Sequence, residues 1–219
     1  MARSFPLPAS QFADRLLVRS VTWQLQESIA SSGYGSGEPL DVELSPPVWT
    51  AEVQIGPLTQ YEAVEQRALV TMHLKPGRPF RLYNRALPGP RHDPLGAALG
   101  GAAPTVHTVG TEGRSLRIAG LPGGYRLSVG DMLHIAFGAN PSRLTLHQVG
   151  EAATASGAGL TPAFELDPAL PLGIDIGMPV ALLRASALMI RVPGSYQPGA
   201  SERSMVTGMG FRAIQTRAW

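Results

Sequence analysis

The 219-residue chain has no cysteine, which excludes disulfide staples and thiolate metal sites and fits a reducing compartment without requiring one. Lysine is nearly absent too. Lys75 is the single one, and the remaining basic residues are arginines scattered along the chain. The 18 basic and 16 acidic residues leave a net charge of +2, so nothing forms the basic cluster that tracks nucleic-acid phosphates. Aromatic residues make up only 6% and do not gather anywhere in the sequence, which counts against an aromatic platform for sugars. No apolar run reaches the roughly 18 residues of a membrane span, and "MARSFPLPASQF" lacks the apolar segment of a secretion signal. A soluble protein, not inserted in a membrane and not exported by that route, is expected. The metalloprotease H-E-x-x-H, the nucleophile elbow G-x-S-x-G and the Walker loop are all missing.

What is present is strand alternation. A chain of this length can bury about 70% of its unfolded surface, enough for one β-rich domain or two units sharing a core. Leu17, Val21, Trp23 and Leu25 share one parity. In "VWTAEVQI", Trp49, Ala51, Val53 and Ile55 are expected inward and Thr50, Glu52 and Gln54 outward. Between these segments "SSGYGSGEP" has a G-x-G spacing, but a strand-like "LDVEL" follows it instead of a helix. It reads as a hairpin tip rather than a phosphate cradle.

The period changes at "GPLTQYEAVEQRALVTMHLKPG". Thr59 and Glu62 form the T-x-x-E capping box, and Pro76 with Gly77 stops the helix, so one helix is expected over about 59–75. Its apolar stripe, Tyr61, Val64, Ala68 and Met72, is expected to lie on a sheet, with Glu62, Glu65 and Arg67 solvated. "RPFRLYN" returns to strand. Further strands follow in "SLRIAG", "DMLHIAF", "RLTLHQV", "PVALLRA" and "ALMIRVP", with turns at "LPGG" and "GANPS". The fold class is therefore mainly β: an antiparallel β-sandwich or split barrel with one flanking α-helix. The expected organisation is an N-terminal half (1–86), an extended arm or linker rich in Pro, Gly and Ala (87–113), a C-terminal antiparallel half (114–200) and a C-terminal extension (201–219). The two halves are compatible with one continuous domain.

Histidines carry the only metal or catalytic candidates. The hairpin register that gathers Leu133, Ile135, Phe137, Leu144 and Leu146 on one buried face sets His134 opposite His147 on the other. Catalytic zinc normally takes three protein ligands, and no third stands at recognisable spacing. The pair is read as a polar sheet face that tolerates alanine, with Asp131 after Gly130 as a turn residue. Asp167 and Asp175 flank turns and do not make a supported carboxylate pair. No catalytic, metal or cofactor-binding residue is assigned, and no cofactor is expected.

The order strand, capped helix, strand in "VWTAEVQIGPLTQYEAVEQRALVTMHLKPGRPFRLYN", followed by "GGYRLSVGDMLHI" and "LHQVGE", resembles the distal tail proteins and related minor tail proteins of long-tailed bacteriophages and gene transfer agents. The likeness spans roughly Trp23 to Val192. It implies an antiparallel β-sandwich flanked by one helix, assembled as a six-fold ring in the virion tail between tail tube and baseplate. The implied partners are further copies of the chain, the tail tube protein and a baseplate hub or other tail-tip proteins, with DNA only in transit through the lumen. Assembly in the bacterial host cytoplasm and no enzymatic activity are implied as well.

Residues point the same way independently. A ring subunit needs segments that reach across interfaces, and three are available: the glycine-rich tip with Tyr34, the 87–113 arm, and the tail from Ser201. Interface candidates are Tyr34, Arg78, Arg81, Arg85, Leu95 and Leu99, the last two together with Leu87 buried against a neighbour, and Phe211 and Trp219 of the tail. Two alternatives stay open: a carbohydrate-binding tail module using Tyr34, Tyr83 or Tyr196, and a metal-dependent cell-wall hydrolase using His134 and His147.

Overall fold

The computed structural model describes residues 5–33, 39–138 and 143–216. Two 3-10 turns, Ala9–Gln11 and Ala13–Arg15, lead into β1 (Val18–Gly33), β2 (Pro39–Ile55), β3 (Leu58–Thr59), α1 (Gln60–His73) and β4 (Phe80–Tyr83). Next come β5 (Thr105–Val109), β6 (Ser115–Ala119), β7 (Arg126–Leu127), β8 (Met132–Phe137), β9 (Arg143–Val149), β10 (Ala153–Thr154), β11 (Phe164–Asp167) and β12 (Val180–Ala181). The chain then adds β13 (Ser186–Arg191), β14 (Gln197–Glu202) and β15 (Met205–Gln215). The fold is mainly β with antiparallel sheets and one flanking α-helix, as the sequence pattern leads one to expect.

The first sheet runs β1-β2-β15-β13-β4. In β2, Trp49, Ala51, Val53 and Ile55 are all buried, which matches their alternation. β15 is central: Met209–Ile214 pair with β2, and Met205 and Val206 pair with β3. On its other edge it carries β14 and β13. Phe211 is buried beside Phe12 and Phe80, the Phe12 and Phe80 rings meeting edge-on at 5.0 Å. The segment from Ser201 is therefore no extension, and Phe211 is a core residue rather than an interface anchor. Its strand pattern is faint because Gly208 and Gly210 interrupt the alternation and small Ala213 and polar Gln215 stand on the inward face beside Met209 and Phe211.

The capping box forms as expected: the Thr59 amide donates to the Glu62 carboxylate at 2.8 Å, and the Glu62 amide reaches the Thr59 hydroxyl at 3.4 Å. The helix is rolled over, however. Ala63, Gln66, Leu69, Val70 and His73 are buried, whereas Tyr61, Val64 and Met72 are 90%, 63% and 64% exposed. Gln66 explains the choice of face. Its amide accepts from the Leu17 N–H and donates to the Arg15 carbonyl, both at 3.2 Å, and so satisfies backbone groups where the chain leaves the 3-10 turn. Such partners are costly to lose when buried.

The second sheet runs β12-β8-β9-β11-β6-β5 and curls until its ends meet. The Val106 amide donates to the Met178 carbonyl, and Val180 to Pro104, each at 2.9 Å. Leu116, Ile118, Leu133, Ile135, Phe164 and Leu166 fill the resulting barrel. The β8–β9 register is one residue from the expected one: His134 faces Leu146, and His147 faces Leu133. Gathering apolar residues on one face fails as a guide because β9 is covered on both. Val149 joins the barrel core, while Leu146 joins the core of the first sheet.

Residues 87–113 are not an extended arm either. They include β5, and Leu99 is buried in the barrel of its own subunit, so it is not available to a neighbour. Asp93 holds the segment down by accepting from the Ala98 and Leu99 amides at 3.0 and 2.8 Å and from the Tyr125 hydroxyl at 3.3 Å. Of the expected boundaries, 86 falls between β4 and the barrel, whereas 113 falls within the barrel and 200 within β14. The barrel is inserted between β4 and β13, and the first sheet is built from both parts of the chain that flank it.

Candidate interaction site: a bare hairpin and a cleft

β1 and β2 form a hairpin longer than the sheet beneath it. Pairing of β2 with β15 ends at Thr50 and Ile214, but β1–β2 pairing continues from Gln26 and Val48 out to Gly33 and Pro39. That outer part is a two-stranded ribbon. Ile29, Val42 and Leu44 are 51%, 49% and 66% exposed on it. Its charge is of one sign: between Ser20 and Gln66 the sequence holds no Lys, Arg or His, and Glu27, Asp41 and Glu43 lie on the ribbon.

A cleft of about 1140 Å³ separates the ribbon from the barrel. Ile29, Glu43 and Pro46 line one wall; Phe137, Leu144 and Leu172 line the other, with Arg114 and Arg143 beside them. Leu172 is 99% exposed. This size exceeds the roughly 300–1,000 Å³ of small-molecule sites, and the few polar groups do not converge on a point.

The predicted interface residues are not brought together. Tyr34 and Trp219 lie outside the described residues, as do the "GANPS" turn from Ala139 and the tip around Gly35. Arg78 stacks its guanidinium over Phe5 at 4.9 Å. Arg81 is half-buried on β4. Arg85 donates to the Leu16 and Ala13 carbonyls at 2.6 and 3.3 Å, so its hydrogen bonds go to its own chain. Leu95, 87% exposed, and Leu87, 65% exposed, remain on the surface. Sequence reading gave the hairpin but not its projection beyond the sheet or the cleft beneath it; the unbroken acidic span was the available signal.

The histidines do not form a site. Facing different neighbours across the strand, they lie on opposite sheet faces. His147 is fully buried, with Nδ1 donating to the Pro168 carbonyl at 2.6 Å and Nε2 2.7 Å from the Thr145 hydroxyl. His134 accepts from the Ser186 amide at 3.2 Å, and burial, then the charge of Arg81, pushes its pKa down to about 4. Neither is the surface histidine expected. Asp131 does serve its turn: Ser128 and Arg91 amides donate to its carboxylate at 2.7 and 2.8 Å. Asp167 lines the cleft, and Asp175 is exposed in the loop before β12. Among the described residues no group of three His, Asp or Glu is disposed to hold a metal ion.

No protein-family model matches the chain, and no curated protein matches it. Among the described residues no helix is long and apolar enough to cross a membrane.

Proposed function

We propose that the chain is a ring-forming structural protein of a long bacteriophage-type tail, a distal tail component that joins the tail tube to the baseplate or tail tip. The observation that carries this is the ribbon beyond Gln26 and Val48, which extends past the last β2–β15 pair with Ile29, Val42 and Leu44 exposed. A two-stranded ribbon is at best marginally stable alone in water, and exposed apolar side chains on it favour contact with another chain. An element of this kind gains its stability in an assembly. The resemblance of the strand, capped helix, strand segment to distal tail proteins supplies the rest of the proposal: six copies in a ring, the tail tube protein and a hub or tail-tip protein as neighbours, DNA passing through the lumen, and assembly in the host cytoplasm without catalysis. Native mass spectrometry of the purified chain tests it. A closed oligomer, with six copies the expected number, supports the proposal; a monomer at every concentration overturns it.

A further inference from the structure

Two apolar surfaces are left uncovered, and they have complementary shapes. One is a ridge, the outward stripe Tyr61, Val64, Ala68 and Met72 of α1, spaced so that all four share one helix face. The other is the groove between ribbon and barrel, with Ile29, Phe137, Leu172 and Ile174 among its walls. α1 is about 21 Å long at 1.5 Å per residue. An amphipathic helix laying its apolar stripe into an apolar groove is a recurrent mode of recognition.

They cannot meet within one molecule. α1 follows directly on β3, which pairs with Val206 at one end of β15, whereas the groove is lined by Gln215 at the other. Nine residues of strand separate these points, about 30 Å at 3.3 Å per residue. Charge also fits a contact between copies. The ribbon wall carries Glu27, Asp41 and Glu43, whereas the barrel wall is mixed, with Arg114 and Arg143 beside Glu112 and Asp167. The helix has Glu62 and Glu65 toward its start, and Lys75 and Arg78 stand just past its end. Laid with its end toward the ribbon, it sets Lys75 and Arg78 against that acidic wall, and such matching fixes register and suppresses wrong partners.

We infer that α1 of one copy docks through Tyr61, Val64 and Met72 into the ribbon–barrel cleft of a second copy. Resting on the reading that copies of the chain associate, this identifies the surfaces they use. Because ridge and groove are different patches at different ends, the contact is head-to-tail, and repeating it closes a ring or extends a filament.

The absence of native cysteine makes the test direct. Val64→Cys and Leu172→Cys proteins, both altered at exposed positions, are mixed and treated with a short bismaleimide, with Leu95→Cys as the control partner. The expected product is a Val64→Cys to Leu172→Cys dimer, with little Leu95→Cys product and a ladder of higher species from the double variant. In parallel, Val64→Asp is expected to raise the dissociation constant of the oligomer about tenfold or more. Oligomers in native mass spectrometry that give no 64–172 product, or that link 64 to 64, overturn the helix-in-cleft contact and leave self-assembly standing. A monomer at every concentration overturns both. An oligomer unaffected by Val64→Asp overturns the contact even if occasional 64–172 links are found.

Discussion

The indole N–H of Trp49 donates to the main-chain carbonyl of Leu146 at 2.8 Å, tying β2 of the first sheet to the wall of the barrel. Leu146 belongs by chain position to the barrel but packs in the core of the sheet, against the cluster that holds Trp49. The two units therefore share a buried seam. Trp49→Phe keeps most of the apolar contact and leaves the carbonyl without its donor, at a cost of about 1–3 kcal/mol. Urea unfolding followed by far-ultraviolet circular dichroism is expected to show a lower midpoint with a single transition retained. Two separated transitions would mean that sheet and barrel do not depend on this seam.

Asp93→Ala removes the acceptor of the Ala98 and Leu99 amides and of the Tyr125 hydroxyl. Burial pushes this carboxyl upward, but those donors outweigh it and hold its pKa below the ordinary carboxylate value. Losing them is expected to cost about 3 kcal/mol, since bonds to charged groups are the stronger class. Limited proteolysis should then cut first between residues 87 and 104. Unchanged protection there would show that Leu99 alone anchors the segment.

Legibility tracked how local each signal was. The capping box Thr59–Glu62 and the alternation of β2 depend on neighbours within a few residues, and both were readable. The face of α1 was not, because Gln66 earns its buried place only through Leu17 and Arg15, distant in sequence. The β8–β9 register was missed for a related reason: Leu146 answers to a second core that no window around β9 contains. The Pro- and Gly-rich 87–113 segment looked unable to fold because its one charged anchor, Asp93, bonds chiefly to backbone. Of the candidate interaction surface, the acidic span was visible; its projection beyond the sheet depends on where β15 stops.

His147→Ala, harmless for a surface histidine, is expected to be costly. It strands the buried Pro168 carbonyl and Thr145 hydroxyl and leaves a void, together about 2–4 kcal/mol. Guanidinium unfolding measures it; a change below about 0.5 kcal/mol would mean that water replaces the ring without loss.

Stability is also expected to depend on pH through His134. Its pKa falls from the ordinary 6.5 to about 4 in the folded protein. Between these values the unfolded chain takes up a proton that the folded one refuses, so acidification favours unfolding across that window. Above about 6.5 both states are neutral and the effect vanishes; the full loss amounts to about 3 kcal/mol. In His134→Asn the side-chain oxygen can still accept from Ser186, and nothing titrates. Unfolding free energies measured from about pH 7 to pH 4 are expected to slope less steeply in the variant, and equal slopes would exclude His134 as the cause.

Two deletions separate the strand that makes the fold from the ribbon that leaves it. Ending the chain at Ala200 removes all of β15, and with it the pairings to β2, β3, β13 and β14 and the buried Val206, Met209 and Phe211. Several large core side chains lost together exceed the 5–15 kcal/mol stability of a typical domain, so this truncation is expected to give no folded subunit. This outcome follows from the segment from Ser201 being the central strand of the first sheet rather than the extension the sequence pattern suggests. Replacing residues 28–45 by a short turn instead removes only rungs that lie beyond the last β2–β15 pair, and Ile29, Val42 and Leu44 bury little within the subunit. The ribbon-less protein is expected to unfold within about 1 kcal/mol of the intact chain, since exposed residues contribute little to folding. Its association should nevertheless be lost, because one wall of the cleft has gone. Sedimentation velocity and thermal unfolding on the same sample distinguish the two effects: a folded, monomeric ribbon-less protein is the expected result, and a folded protein that still assembles would remove the ribbon from the interface.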